Sequence, residues 1–199
     1  MKLNLGETIL RINISFAAAV TLTLIIDESG FCAAALFCCV VHEMGHIICL
    51  LILGEKPKMI ELSFYGVRLE RKNDCLKNIE NIAVYASGPA ANFILSAAFF
   101  AVSSTEIAKN AAVTSLCVGL FNMLPCVPLD GGNLLNLALF RFTDEENCRK
   151  ICFYVSLIVL FPMLIIGFLL LIKNGNLTLL AVSVYLTVMT FLDNKGRFF

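Results

Sequence analysis

The sequence predicts an all-α polytopic membrane protein. It should have about six transmembrane helices, a short cytoplasmic β-hairpin-like segment and one broken, re-entrant segment. Three observations carry this. Of 199 residues, 59% are hydrophobic and only 15% are charged, against about 25% charged in a soluble domain. The mean hydropathy is +0.86. Apolar runs recur along the whole chain, most near the roughly 20 residues that a membrane-crossing helix needs. The net charge of zero removes the general electrostatic case for a nucleic-acid partner. An odd count of nine cysteines, most inside apolar runs, reads as reduced, small apolar residues rather than a disulfide framework.

Six apolar segments follow in order: residues 9–26, 31–53, 82–102, 108–124, 152–172 and 177–192. The first is the weakest, because Arg11 and Asn13 sit near its start. With its basic beginning and the small residues of "FAAAV" it also has the outline of a signal peptide. The distribution of basic residues argues for a retained span. With the N-terminus placed in the cytoplasm and loops assigned alternately, all fifteen Lys and Arg except Lys109 and Lys173 fall inside. That asymmetry is the positive-inside signature. It predicts cytoplasmic N- and C-termini and a multi-pass protein of the cell membrane.

Between the second and third segments, "MIELSFYGVRLE" alternates Ile60, Leu62 and Phe64 with Glu61, Ser63 and Tyr65. A period of two with aromatic residues predicts a short strand pair in the loop 54–81. Such a hairpin either covers helix ends at the interface or offers an edge that a substrate strand can join.

The second segment, "FCAAALFCCVVHEMGHIICLLIL", contains His42, Glu43 and His46 as its only ionisable groups besides thiols. An ionisable group at bilayer depth costs roughly 2.5–3.5 kcal/mol on insertion scales, so these three need a reason to be there. His42 and His46 are four apart and therefore share one side of a helix, a turn apart. One divalent ion can take both. Glu43 is offset so that it reaches a metal-bound water without ligating, the logic of His-Glu-x-x-His in zinc hydrolases. The bland alternative is a chance match on a core helix. It is weakened because the only two histidines of the chain both fall in this pattern.

Catalytic zinc keeps three protein ligands and one open position, and there is no third histidine. Cys38, Cys39 and Cys49 lie on the same helix, where geometry makes it hard for them to close a tetrahedron with both histidines. They are expected to be interior packing residues and oxidation-prone neighbours. The better candidate is Asp130 in "FNMLPCVPLDGGN". Pro125 and Pro128 cannot continue a helix and Gly131 and Gly132 loosen the chain, so this reads as a broken or re-entrant segment buried in protein or lining a wet cavity. An ordinary polar loop with one aspartate is the alternative. By the alternating topology the second and fourth segments both end on the cytoplasmic side, which brings His46 and Asp130 to the same half of the membrane.

"HEMGH" followed by "NMLPCVPLDGG" resembles the site-2 protease family of intramembrane zinc metalloproteases. "SGPAANF" at 87–93 resembles the Gly-Pro-x-x-Asn element that lies between those two motifs in the family. All three fall within 41–132, in the family's order. The size, the six segments and the absence of a PDZ insertion look most like the stage IV sporulation protein FB group, which cuts a membrane-associated pro-sigma factor on the cytoplasmic side. The sequence departs from that group in having no CBS domain, so residues 1–199 are expected to form a single integral-membrane domain. The resemblance implies one Zn2+ per chain held by His42, His46 and Asp130, with Glu43 as the general base. Asn122 matches the family asparagine that helps hold the substrate carbonyl or oxyanion, and an interhelical hydrogen bond is its structural alternative. Gly88, Pro89 and Asn92 are expected to serve close helix packing. The implied partners are the bilayer and a membrane-associated or membrane-spanning protein substrate, cut near the cytoplasmic side. A metal transporter or metal sensor using the His/Cys face is the rival. It leaves unexplained why a base should sit beside the two histidines.

Overall fold

A computed structural model of the chain describes residues 2–5, 8–27, 30–55, 57–63, 66–71, 78–102 and 105–194. Lys56, Phe64, Tyr65, Lys72, Lys77, Lys195 and Arg197, which enter the strand-pair and charge readings above, lie outside the described residues. The chain divides into two compact units, Met1–Gly119 and Leu120–Phe199.

The first unit opens with strands β1 (Lys2–Leu5) and β2 (Thr8–Ile12), followed by helices α1 (Ile14–Ile26) and α2 (Phe31–Ile52). Strands β3 (Pro57–Ser63) and β4 (Gly66–Arg71) come next, then α3 (Asn78–Val102) and α4 (Glu106–Asn122), whose last turn passes into the second unit. The four strands form one sheet in the order β1-β2-β3-β4. β1–β2 and β3–β4 are antiparallel and β2–β3 is parallel. A parallel pair needs a crossover, and α1 and α2 supply it. Arg11 lies opposite Glu61 in that register, their charged atoms 3.8 Å apart, a partly exposed pair that contributes little.

The sheet corrects the expectation that the first span begins at residue 9. Ile9, Leu10 and Ile12 belong to a strand, and the helix starts only at Ile14. A short apolar run does not distinguish strand from helix by periodicity, and the partner that decides the matter, β3, lies some fifty residues away. At 13 residues, α1 is about 20 Å long, well short of a hydrocarbon core of about 30 Å.

Among the described residues three helices are long and apolar enough to cross a membrane: α2, α3 and α6. On α2 the buried stripe is Cys38, His42, His46 and Leu50, while Phe37, Val40, Met44, Ile48 and Leu51 are exposed. Polar groups inside and apolar groups outside reverse the pattern of a water-soluble helix and suit a lipid surround. α2 packs chiefly on α3, and small residues set the approach. A Cβ on Gly45 would stand 2.6 Å from the Ser87 carbonyl oxygen and 2.9 Å from Ala91 Cβ, as in close helix crossings in membranes.

The second unit contains α5 (Asp130–Leu139), α6 (Glu145–Asn174) and α7 (Thr178–Asn194). α6 begins after Asp144, which accepts a hydrogen bond from the Asn147 side chain at 2.7 Å. Its own backbone amide and Asn147 hold this carboxyl below the usual range. α6 and α7 approach closely at Gly167, where a Cβ would meet the Leu180 backbone at 2.8 Å. The core of the unit is Cys126, Leu160 and Leu186, so the turn after α4 is packed between the two helices.

Candidate metal and catalytic site

His42 and His46 are both buried on α2. Their spacing of four brings the rings together at a centroid distance of 4.8 Å and an interplanar angle of 82°. The two Nε2 atoms are 3.2 Å apart. Two nitrogen ligands at about 2.0–2.1 Å from one tetrahedral zinc stand about 3.3 Å apart, so the pair is spaced as two ligands of one ion.

The outer nitrogens are held by α3. His46 Nδ1 is 2.7 Å from the Val84 carbonyl oxygen. A carbonyl only accepts, so Nδ1 carries the proton and Nε2 of the neutral ring presents its lone pair. The Ser87 hydroxyl donates to the same carbonyl at 2.6 Å. Pro89, one turn on, has no N–H to give the preceding turn, and proline inside a helix bends it. His42 Nδ1 faces the carboxamide of Asn92, with Nδ2 at 3.4 Å. Asn92 is fully buried, and the Ser115 hydroxyl of α4 donates to its backbone carbonyl at 2.9 Å. Among the described residues its Oδ1 has no hydrogen-bond partner. Burying an unmade acceptor costs about 1–3 kcal/mol.

Gly88 lets α3 lie over the rings. A Cβ there would overlap His46 Nε2 and stand 2.8 Å from His42 Cε1. Gly88, Pro89 and Asn92 therefore share the His42–His46 neighbourhood, Gly88 and Asn92 facing the rings directly. Glu43 follows His42 on α2 and is half-buried. Of the three cysteines expected in the interior, only Cys38 is buried, and its thiol points to the Ala111 carbonyl at 4.0 Å. Cys39 is exposed and Cys49 half-buried, because at 3.6 residues per turn they fall off the stripe that contains the histidines.

Asp130 and Asn122 lie in the second unit, both half-buried. Asn122 ends α4 and Asp130 begins α5, with seven non-helical residues between them that include a cis Val127–Pro128 bond. The glycines after Asp130 are a steric requirement. A Cβ on Gly131 would overlap the Met123 carbonyl, and one on Gly132 would stand 2.5 Å from the Cys126 carbonyl oxygen. α5 thus starts flush against the backbone of its own approach loop. Distant side chains hold that loop. Val127 N–H donates to Ser156 Oγ of α6 at 3.1 Å, and its carbonyl accepts from Thr190 Oγ1 of α7 at 2.8 Å. Ser156, Thr190 and the Val84 carbonyl have no signal in the sequence, since each acts through a partner that only the fold supplies.

Residues 103–163, which include Asn122 and Asp130 but not α2, match the model of Peptidase family M50. The chain is 30% identical over 124 residues to "Putative zinc metalloprotease sll0528" of Synechocystis, covering 58% of this chain and 33% of that protein. It is 25% identical over 155 residues to Zinc metalloprotease MJ0392 of Methanocaldococcus jannaschii, covering 73% of this chain and 44% of that one. The chain therefore spans between a third and a half of the length of these relatives. A solved structure, the Site-2 Protease from Methanocaldococcus jannaschii, superposes with a TM-score of 0.71 at 21% identity, over 98% of this chain and 94% of that one. This chain has the fold of that site-2 protease.

Proposed function

We propose that the chain is a member of peptidase family M50 and a zinc-dependent intramembrane endopeptidase of the site-2 protease type. The observation that carries this is the buried imidazole pair, its Nε2 atoms 3.2 Å apart on an apolar helix. His42, His46 and Asp130 would hold one Zn2+ per chain, two neutral nitrogens and a carboxylate being a donor set suited to catalytic zinc. Bound there, zinc supplies an acidified water and polarises the scissile carbonyl. Glu43 takes a proton and returns it to the leaving amine as general base and acid. Asn122 orients the substrate carbonyl by donating from its amide.

The architecture behind this reading is a single membrane domain crossed by α2, α3 and α6 together with shorter apolar helices, with cytoplasmic termini and a site open to cytoplasmic water. The substrate is a membrane-associated or membrane-spanning protein cut near the cytoplasmic face, of the class of tethered transcription regulators such as a pro-sigma factor. This would place the chain in the sporulation FB group. The β4 edge suits an extended substrate strand, because its outer backbone groups can pair with an added one.

Purified chain reconstituted with a membrane-tethered substrate tests the assignment. Glu43→Gln should abolish cleavage, at least about 1,000-fold, while zinc content stays near one per chain. Asp130→Ala should lose zinc. Cleavage by Glu43→Gln at the wild-type rate would sink the enzymatic reading, and metal flux without cleavage would favour a transporter.

A further inference from the structure

Each imidazole has two nitrogens, and which one carries the proton is set by the partner of the other. For His46 the Val84 carbonyl decides, fixing the Nδ1–H form with the lone pair on Nε2. On the Nδ1 side of His42 the partner is a carboxamide, which can act either way. Facing the ring through Nδ2, it donates to Nδ1. His42 then has its proton on Nε2 and passes it toward His46 Nε2, 3.2 Å away. In that arrangement the Nε2 pair shares one proton, and Asn92 Oδ1 stays buried with no partner among the described residues. Facing the ring through Oδ1, the same amide accepts from His42 Nδ1–H. Both Nε2 atoms then carry a lone pair that one cation can take, and the stranded oxygen gains its partner. The two ends of a carboxamide have the same shape, so a half-turn exchanges them without moving α3.

We infer that Asn92 is a positioning residue: by turning its amide it selects the His42 tautomer and so couples a buried hydrogen-bond deficit to metal binding. This rests on the reading of His42 and His46 as zinc ligands and goes beyond it, since Asn92 is otherwise only a packing residue. The surroundings favour a fixed pivot. The Asn92 backbone carbonyl is held by Ser115 at 2.9 Å, and a Cβ on Gly119 would stand 3.3 Å from Asn92 Cβ, so only the outer carboxamide is left to turn.

The test uses the full-length, zinc-loaded chain in detergent or bilayer and two variants of similar size. Asn92→Asp keeps an acceptor toward His42 and adds charge, whereas Asn92→Leu keeps the bulk and loses the acceptor. Asn92→Asp should release zinc to a chelator within about threefold of the wild-type rate, and Asn92→Leu about 10–100-fold faster. A packing role predicts the reverse order, because leucine is tolerated and a buried carboxylate is not; that order, or wild-type release by Asn92→Leu, overturns the inference. A second measurement needs no variant. With only two histidines in the chain, 15N-histidine labelling of the zinc-loaded wild type should show two Nδ1–H resonances, and a single one overturns the inference even if both variants misfold. Wild-type chain that holds no zinc, or His46→Ala that holds it undiminished, would instead remove the zinc reading itself, and this inference with it.

Discussion

In the first unit, the imidazole pair is built by one helix and finished by its neighbour. The spacing of four on α2 sets the rings edge to face, and α3 adds a carbonyl from Val84, a carboxamide from Asn92 and the missing side chain of Gly88. In the second unit, Asp130 is presented by a non-helical turn, closed locally by bonds such as Leu129 N–H to the Cys126 carbonyl at 2.7 Å. That turn is tied down by hydroxyls of Ser156 and Thr190, about 30 and 60 residues further along. Geometry that a helix imposes tolerates changes outside the contact face. Geometry imposed by two distant hydroxyls depends on each of them. Substitutions in the two regions should therefore fail differently, by collision in the first and by lost hydrogen bonds in the second.

The largest effect is expected at Gly88. Alanine there would drive a methyl into both imidazoles, where the nearest contacts are His46 Nε2 and Cε1 and His42 Cε1. Rings that tilt away lose their common focus, and overpacking of a tight interface costs roughly 1–3 kcal/mol. Gly88→Ala should lose bound zinc to below a tenth of wild type and lower the unfolding midpoint, read by metal analysis and thermal denaturation of the same sample. Zinc retained at wild-type level would mean that α3 can withdraw, and that the first region is not held by close approach.

What was legible in the sequence divides along the same line. His42, Glu43 and His46 could be placed on one helix because helical spacing is local. Asp130 stood out because prolines and glycines mark where the helix must break. Gly88, Pro89 and Asn92 were visible as a motif, though only as packing. The strand β2 was not legible, since a stretch of five residues with three apolar ones is decided by its pairing with β3. Nor was the exposure of Cys39, one residue off the buried stripe. Ser156 and Thr190 look like ordinary small polar residues of apolar helices. Their role appears only when Val127 is brought against them.

A middle-sized effect is expected at Ser156. Its Oγ accepts from Val127 N–H and donates to the Cys152 carbonyl at 2.7 Å. Alanine removes the acceptor of a part-buried amide, while the Cys152 carbonyl keeps a helical role. A donor left unmade costs about 1–3 kcal/mol. Ser156→Ala should lower the unfolding midpoint and raise hydrogen exchange at Val127, with α2 and α3 unaffected. Exchange unchanged at Val127 would show that the turn is held by packing against Cys126, Leu160 and Leu186 instead of by the hydroxyl.

The smallest effect belongs to Thr190, although it grips the same residue. Its hydroxyl has one proton, shared between the Val127 carbonyl and the Leu186 carbonyl one turn back, each at 2.8 Å. A carbonyl deprived of such a donor retains a second lone pair and is cheaper to leave under-satisfied than an amide N–H. Valine keeps the β-branched shape, so packing is largely preserved. Thr190→Val should therefore cost about 0.5–1.5 kcal/mol, less than Ser156→Ala, measured by unfolding of both variants under one set of conditions. In the double variant the losses should fall short of additivity, because both substitutions release the same peptide unit pair around Val127. Full additivity would show that the two hydroxyls act on separate parts of the structure, and the turn would then owe its shape to Gly131 and Gly132 more than to α6 and α7.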